Sequence, residues 1–287
     1  MEVNLTSVSV VRQQLASQQI RPSKRLGQNF LVDANIVNKI VAAVEPDSGD
    51  LVIEIGAGLG TLTKALAEHA GAVIAVEKDH RLSPLLQQNL GHLPHVRVIE
   101  GDILELPIDT LVSLAGDYGI IKTVGNLPYY VTSPIIMHLL AATVPLASIT
   151  CMVQREVAQR ILASPGTKEY GVLSVAAQAK SVPELVCNVP RTVFYPKPEV
   201  DSAVIRLIPR EQPFPNAIYE ETFFRVVKAA FGQRRKTIGN ALKRGLEMPA
   251  KAVDELLAKA QIDPMRRGET LSGEEFYQLT EIILRGS

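Results

Sequence analysis

Five short apolar runs, alternating with segments of helical period, limit what this chain can become. The runs are Leu51–Ile55, Ala72–Val76, Val96–Ile99, Gly119–Gly125 and Ala147–Val153. Between them Thr61 to His69, Arg81 to Leu90 and Ser133 to Leu140 carry the spacing of amphipathic helices. The runs are nearly continuous in apolar residues rather than alternating, which is the pattern of strands buried on both faces. The fold expected is therefore α/β, a mostly parallel sheet covered on both sides by helices. Open sheets of this kind bind ligands beyond the carboxyl ends of their strands.

The residues just after the runs carry the first chemistry. Leu51–Ile55 leads into Gly56-Ala57-Gly58-Leu59-Gly60, with Glu54 two residues before the first glycine. Glycines at a strand-to-helix turn let the backbone approach a ligand, and the helix start supplies N–H donors. The second run ends on Glu77, where such folds set a carboxylate against ribose hydroxyls. The third ends on Glu100-Gly101-Asp102, which places Asp102 within reach of an adenine ring. Together these describe an adenosine-containing ligand. A nucleoside triphosphate is disfavoured, because no G-x-x-x-x-G-K-[ST] loop is present, and the G-x-G-x-G spacing departs from a dinucleotide fingerprint.

The fourth run passes into Gly125-Asn126-Leu127-Pro128-Tyr129-Tyr130. Proline ends the strand, having no N–H to donate. An amide, backbone carbonyls and an aromatic face then follow within four residues, a set suited to a planar amine.

Residues 1–23 are polar and mixed and read as a flexible arm ending in Arg21, Lys24 and Arg25. Asp33 is placed to cap a helix running from Ile36 to Val44. Residues 24–210 form the α/β domain. Within it, Glu156 to Leu162 and Tyr170 to Lys180 read as helices, and Leu185–Val189 and Ser202–Ile208 as strands able to pair. The proline-stiffened Phe194-Tyr195-Pro196-Lys197-Pro198 lies between those strands. Pro209 to Pro215 reads as a linker, and 216–287 as a small all-helical domain.

Formal net charge is +0, so any nucleic-acid face must be local. Lys228 to Arg244 supplies one, with Arg234, Arg235, Lys236, Lys243 and Arg244 and no acid. Two cysteines exclude a disulfide scaffold and fit a reducing compartment. No apolar run is long enough for a bilayer, and His92 and His95 read as loop residues rather than metal ligands.

With the glycine loop, Glu77, Asp102 and Asn126-Leu127-Pro128-Tyr129 in that order, the chain resembles class I S-adenosylmethionine methyltransferases acting on an amino nitrogen. More narrowly, it resembles the ribosomal RNA adenine N6,N6-dimethyltransferases of the small-subunit kind. Lys24-Arg25-Leu26-Gly27-Gln28-Asn29-Phe30-Leu31 matches their N-terminal motif. Tyr170-Gly171-Val172-Leu173-Ser174 matches a middle motif, Phe194 to Val204 a late one, and Phe231-Gly232-Gln233-Arg234-Arg235-Lys236 one in the helical domain.

The resemblance implies a Rossmann-like domain with a seven-stranded sheet and a C-terminal helical RNA-binding domain. It implies that Asn29, Leu31, Gly56, Glu77, Asp102 and Asn126 hold S-adenosylmethionine. Asn126 and the Leu127 carbonyl would accept hydrogen bonds from the target N6, with Tyr129 and Phe194 stacking on the base. The substrate implied is a pair of adjacent adenines in a hairpin near the 3′ end of 16S rRNA, within an immature 30S subunit. The enzyme implied is cytoplasmic and monomeric, and needs neither metal nor membrane. Competing readings are an assembly checkpoint whose binding matters more than its chemistry, a large-subunit RNA dimethylase and, remotely, a dinucleotide oxidoreductase.

Overall fold

The computed structural model describes residues 3–23, 25–116, 118–233 and 235–286. The chain divides into two compact units, Met1–Ala158 with Pro183–Pro209, and Gln159–Val182 with Arg210–Ser287.

In the first unit the elements run α1 (Val8–Ser17), β1 (Phe30–Leu31), α2 (Ala34–Val44), β2 (Asp50–Ile55), α3 (Thr61–Ala67), β3 (Ala72–Glu77) and α4 (Ser83–Leu90). They continue with β4 (Val96–Glu100), α5 (Ile108–Ala115), β5 (Ile120–Asn126), α6 (Thr132–Leu139), β6 (Ser148–Gln154) and α7 (Arg155–Leu162). After α8 (Val172–Lys180), which belongs to the second unit, the first continues with β7 (Ser181–Val189), β8 (Phe194–Tyr195) and β9 (Ser202–Pro209). The main sheet has seven strands in the order β4-β3-β2-β5-β6-β9-β7. From β4 to β6 neighbours are parallel, while β9 is antiparallel to β6. Every residue of β2 and β3 is buried, as continuous apolar runs require. The Asp33 carboxylate caps α2 by accepting from the Ile36 N–H at 3.0 Å, worth about 1 kcal/mol at such positions.

The first twenty residues are not an arm in this structure. They carry α1, and Leu5, Val11, Leu15 and Ile20 are buried with Phe30, Leu59, Leu82 and Leu85. Burying side chains such as Val11 and Leu15 is worth about 1.5–3 kcal/mol each, which favours docking of the helix on this unit. The segment after Asp102 contains α5, seated by buried Ile108 and Leu111. One other expectation is corrected. Residues 209–215 are not a free linker, since Arg210 N–H donates to the Lys180 carbonyl at 2.9 Å and Phe214 is buried among aromatic rings.

The second unit gathers α8 with α9 (Ala217–Phe231), α10 (Ile238–Gly245), α11 (Ala250–Lys259) and α12 (Gly273–Arg285). Residues 159–182 thus group with the C-terminal helices, although the sequence places them in the α/β domain. The reason is burial: Tyr170, Val175 and Ala179 share an apolar cluster with Phe223, Val226, Leu242 and Phe276. Phe214, Phe223 and Tyr277 stack at its centre, with ring centroids 4.6–5.6 Å apart. Ser272 and Glu275 close a reciprocal cap on α12, and Glu275 also receives Arg266 at 2.5 Å.

Candidate active site

Strand order fixes where a ligand can sit. β3 and β4 lie on one side of β2, while β5 and β6 lie on the other, so the order reverses between β2 and β5. At such a switch point the loops beyond the two strands diverge and leave a crevice. Ile55 stands opposite Gly125 in the parallel register, which brings Gly56 and Asn126 out of the sheet side by side. A β-carbon on Gly125 would lie 2.5 Å from the Ile55 carbonyl oxygen, so only glycine permits this approach. Gly56 has φ +75°, a left-handed conformation, and its N–H donates to the Val76 carbonyl at 2.8 Å.

The crevice is open to solvent and encloses a cavity of about 120 Å³. Its walls include Asn29, Leu31, Gly56, Glu77, Asp102 and Asn126, the six residues expected from sequence to hold the cofactor. The ends of β2, β3, β4 and β5 supply one each of Gly56, Glu77, Asp102 and Asn126, and the segment 26–31 supplies a further wall.

The carboxylates differ in environment. Glu77 is 8% exposed; Oε2 accepts from Gly58 N–H and Oε1 from Asp79 N–H, each at 2.8 Å. Burial raises its pKa, against the pull of those bonds. Each oxygen keeps a second lone pair for a hydroxyl donor. Glu54, also on the wall, is 2% exposed and accepts from the Thr63 hydroxyl at 2.5 Å. Burial pushes it up to about 8, opposed by the Thr63 bond and aided by the charge of Glu77. Asp102 goes the other way: burial would raise it, but Lys78 at 2.5 Å and the Leu104 N–H hold it below the usual range. A buried carboxylate with acceptor capacity to spare, a second carboxylate at the next strand end, an apolar wall with Ile103, and a glycine loop are of a kind to suit the ribose, adenine and cationic end of S-adenosylmethionine.

Asn126 ends β5, and its Nδ2 donates to the Asn29 carbonyl at 2.8 Å. Three expected catalytic residues do not line the cavity. The Leu127 side chain is buried, and its N–H donates to the Met152 carbonyl at 3.1 Å. Tyr129 is half-buried, its hydroxyl 2.7 Å from that of Ser202. Phe194 was expected to show a face to the base, yet it is 4% exposed. It pairs with Leu31 between β1 and β8 and packs with Ile40, Val124, Met152 and Val204, a core position in this state.

Several wall residues were not singled out from sequence. Glu54 was named only as part of the glycine loop, and burial is what distinguishes it. Gln28 donates to Asp79 at 2.7 Å, tying the segment 26–31 to the turn after Glu77. Lys78 and the exposed Tyr130 stand at the rim near Asp102. Among the described residues, no group of three His, Cys, Asp or Glu side chains is arranged to hold a metal ion.

In the second unit, Arg235, Lys236 and Arg244 are exposed, and Lys243 pairs with Asp254 at 2.9 Å. Arg234 and Lys24 lie outside the described residues. Arg235 shares a surface cavity with Lys168 and Arg267, neither of which the charge run on α10 reveals.

The chain is similar to known proteins over most of its length. The sequence pattern of the family described as "Ribosomal RNA adenine dimethylase" matches residues 20–284. A protein of Moorella thermoacetica named "Ribosomal RNA small subunit methyltransferase A" is 51% identical over 269 residues, covering 91% of this chain and 92% of its own length. One of the same name from Clostridioides difficile is 44% identical over 279 residues, covering 97% and 96%. Among solved structures, a dimethyladenosine transferase from Plasmodium falciparum superposes with TM-score 0.78 at 26% identity, covering 89% of this chain and 98% of that one. The 23S rRNA methyltransferase ErmE gives 0.68 at 28%, covering 88% and 98%. With a family pattern over most of its length and relatives about half identical across nine-tenths of it, the chain belongs to the ribosomal RNA adenine dimethylases, enzymes that use S-adenosylmethionine.

Proposed function

We propose that this enzyme dimethylates N6 of two adjacent adenines in a hairpin near the 3′ end of 16S rRNA, acting as a cytoplasmic monomer on an immature 30S subunit. The observation that carries the reading is Asn126, whose amide is anchored on Asn29 within the crevice that also holds Gly56 and Glu77. S-adenosylmethionine bound there supplies a methyl group on a positively charged sulfur, which needs no further activation.

The chain's own task is to make a poor nucleophile attack. An adenine amine delocalises its lone pair into the ring. Asn126 Nδ2 is committed to Asn29, which leaves Oδ1 to accept one N6 hydrogen. The Leu127 carbonyl accepts the other. Two acceptors draw the nitrogen toward tetrahedral character and aim its lone pair into the crevice, so that catalysis is mainly positioning. Tyr129 and Phe194 flank the base and stabilise the cation that forms. For Phe194 this requires its ring to come partly free of the apolar cluster that covers it.

The target base must leave its stack, at a cost of a few kcal/mol in a duplex and less in a loop. A hairpin loop meets that requirement. Arg234, Arg235, Lys236, Lys243 and Arg244, joined by Lys168 and Arg267, track the phosphates. Mass spectrometry of ribosomal RNA incubated with the protein and labelled S-adenosylmethionine tests the reading. Two methyl groups on each of two adjacent small-subunit adenines are expected. Label on large-subunit RNA would replace this substrate with that of the ErmE kind.

A further inference from the structure

The family pattern begins at residue 20, so α1 precedes it, although a relative aligns over 97% of the chain. The helix is nevertheless built against three separate walls of the donor crevice. Val11 and Leu15 share one apolar cluster with Phe30 from the segment 26–31, Leu59 from the glycine loop, and Leu82 and Leu85 from the stretch after Glu77. Phe30, Leu59 and Leu82 are themselves wall residues. Phe30 also presses on the loop, because a β-carbon on Gly58 would lie 3.2 Å from its ring.

A polar link runs beside the apolar one. Gln14 Nε2 donates to Asn89 Oδ1 at 2.7 Å, and Asn89 Nδ2 donates back to Gln14 Oε1 at 3.1 Å. Asn89 Nδ2 also donates to the Leu59 carbonyl at 2.9 Å. Gln14 and Asn89 are 8% and 5% exposed. Buried amides without partners are destabilising, so this pair favours one docking register for α1. At the helix's other side, the Arg12 guanidinium lies 5.2 Å from the ring centre of Tyr195, which pairs with Phe30 across β1 and β8.

We propose that α1 is a positioning element of the methyl-donor site, acting through Gln14 and Asn89 on the Leu59 carbonyl and through Phe30 on Gly58. Gly56, Gly58 and Gly60 all have positive φ, so the loop has little stiffness of its own. A docked α1 holds it in the form that receives the donor. No α1 side chain lines the crevice. The proposal rests on the cofactor reading of the crevice and is independent of which RNA is methylated.

The test uses the full chain. Val11→Asp with Leu15→Asp places charges in the apolar cluster and undocks the helix, while Gln14→Leu breaks only the amide pair. Limited proteolysis reports docking, and calorimetry with S-adenosylhomocysteine reports the site without turnover. If α1 is docked about one-tenth of the time, the apparent Kd rises about tenfold. The donor KM should rise in parallel while kcat at saturating donor holds. Gln14→Leu should give a smaller shift of the same kind, and exchanging the pair as Gln14→Asn with Asn89→Gln should recover part of it. Proteolytically freed α1 with unchanged S-adenosylhomocysteine affinity would overturn the proposal. So would an equal loss of affinity in Leu111→Ala, a core variant in α5, at matched loss of melting temperature. If the double variant does not fold, Gln14→Leu decides by the same two measurements. Wild-type protein that bound no S-adenosylhomocysteine would overturn the cofactor reading and this proposal together.

Discussion

The side-chain nitrogen of Asn126 donates to the backbone carbonyl of Asn29 across 2.8 Å. The bond links the end of β5 to the segment 26–31, and it decides which end of the amide remains for a substrate. Asn126→Ala should abolish methyl transfer while leaving S-adenosylhomocysteine affinity within a few-fold. Asn126→Asp should be as inactive despite keeping an acceptor, because a carboxylate would face the Asn29 carbonyl with no donor between them. Calorimetry beside single-turnover assays checks both. Restored activity in the Asp variant would show that orientation by Asn29 is unimportant.

Glu54 gives the crevice a pH dependence. Its folded pKa of about 8 lies above the ordinary carboxyl value of 4.5, so the folded state binds the extra proton. Stability from this group is therefore complete below about 4.5 and is lost as pH climbs through about 8. A cationic ligand in the crevice favours the ionised form, so donor binding should release protons near neutral pH and tighten as pH rises toward 8. Calorimetry in buffers of different ionisation enthalpy measures the release. Glu54→Gln should reduce it and flatten the decline of melting temperature with pH.

Arg235 and Arg267 line the same surface cavity as Lys168. Reversing Arg235 and Arg267 to Glu should weaken RNA binding and make the slope of log K against log salt shallower by about one unit per lost phosphate contact. S-adenosylhomocysteine binding should be unchanged. An unaltered salt slope would remove this cavity from the RNA-binding surface.

Phe194 has two roles to separate, since it is a core residue here and a proposed stacking face. Phe194→Leu conserves much of the volume and should cost less than about 1.5 kcal/mol of stability. If its ring flanks the base, kcat/KM should nevertheless fall about 10- to 100-fold, matching the 1–3 kcal/mol typical of base stacking. A melting curve and steady-state kinetics on one preparation read both numbers. Full activity with a lowered melting temperature would leave Phe194 as core alone.

Gly56, Glu77, Asp102 and Asn126 were legible before any coordinates because each follows directly on an apolar run. The end of a parallel strand is a local property, and the ligand side of the sheet follows from it. Helices and strands with a strong period were equally plain, as was the Asp33 cap. α1 was not, because the partners that bury Val11 and Leu15 are Leu59, Leu82 and Leu85, dozens of residues away. The burial of Phe194 is hidden for the same reason: prolines beside it suggest exposure, while Leu31 and Val204 cover it. The pKa of Glu54 and the meeting of Arg235 with Lys168 and Arg267 also needed the folded chain. Secondary structure and strand-end chemistry are written in neighbouring residues, whereas burial, charge state and support depend on which distant segments pack together.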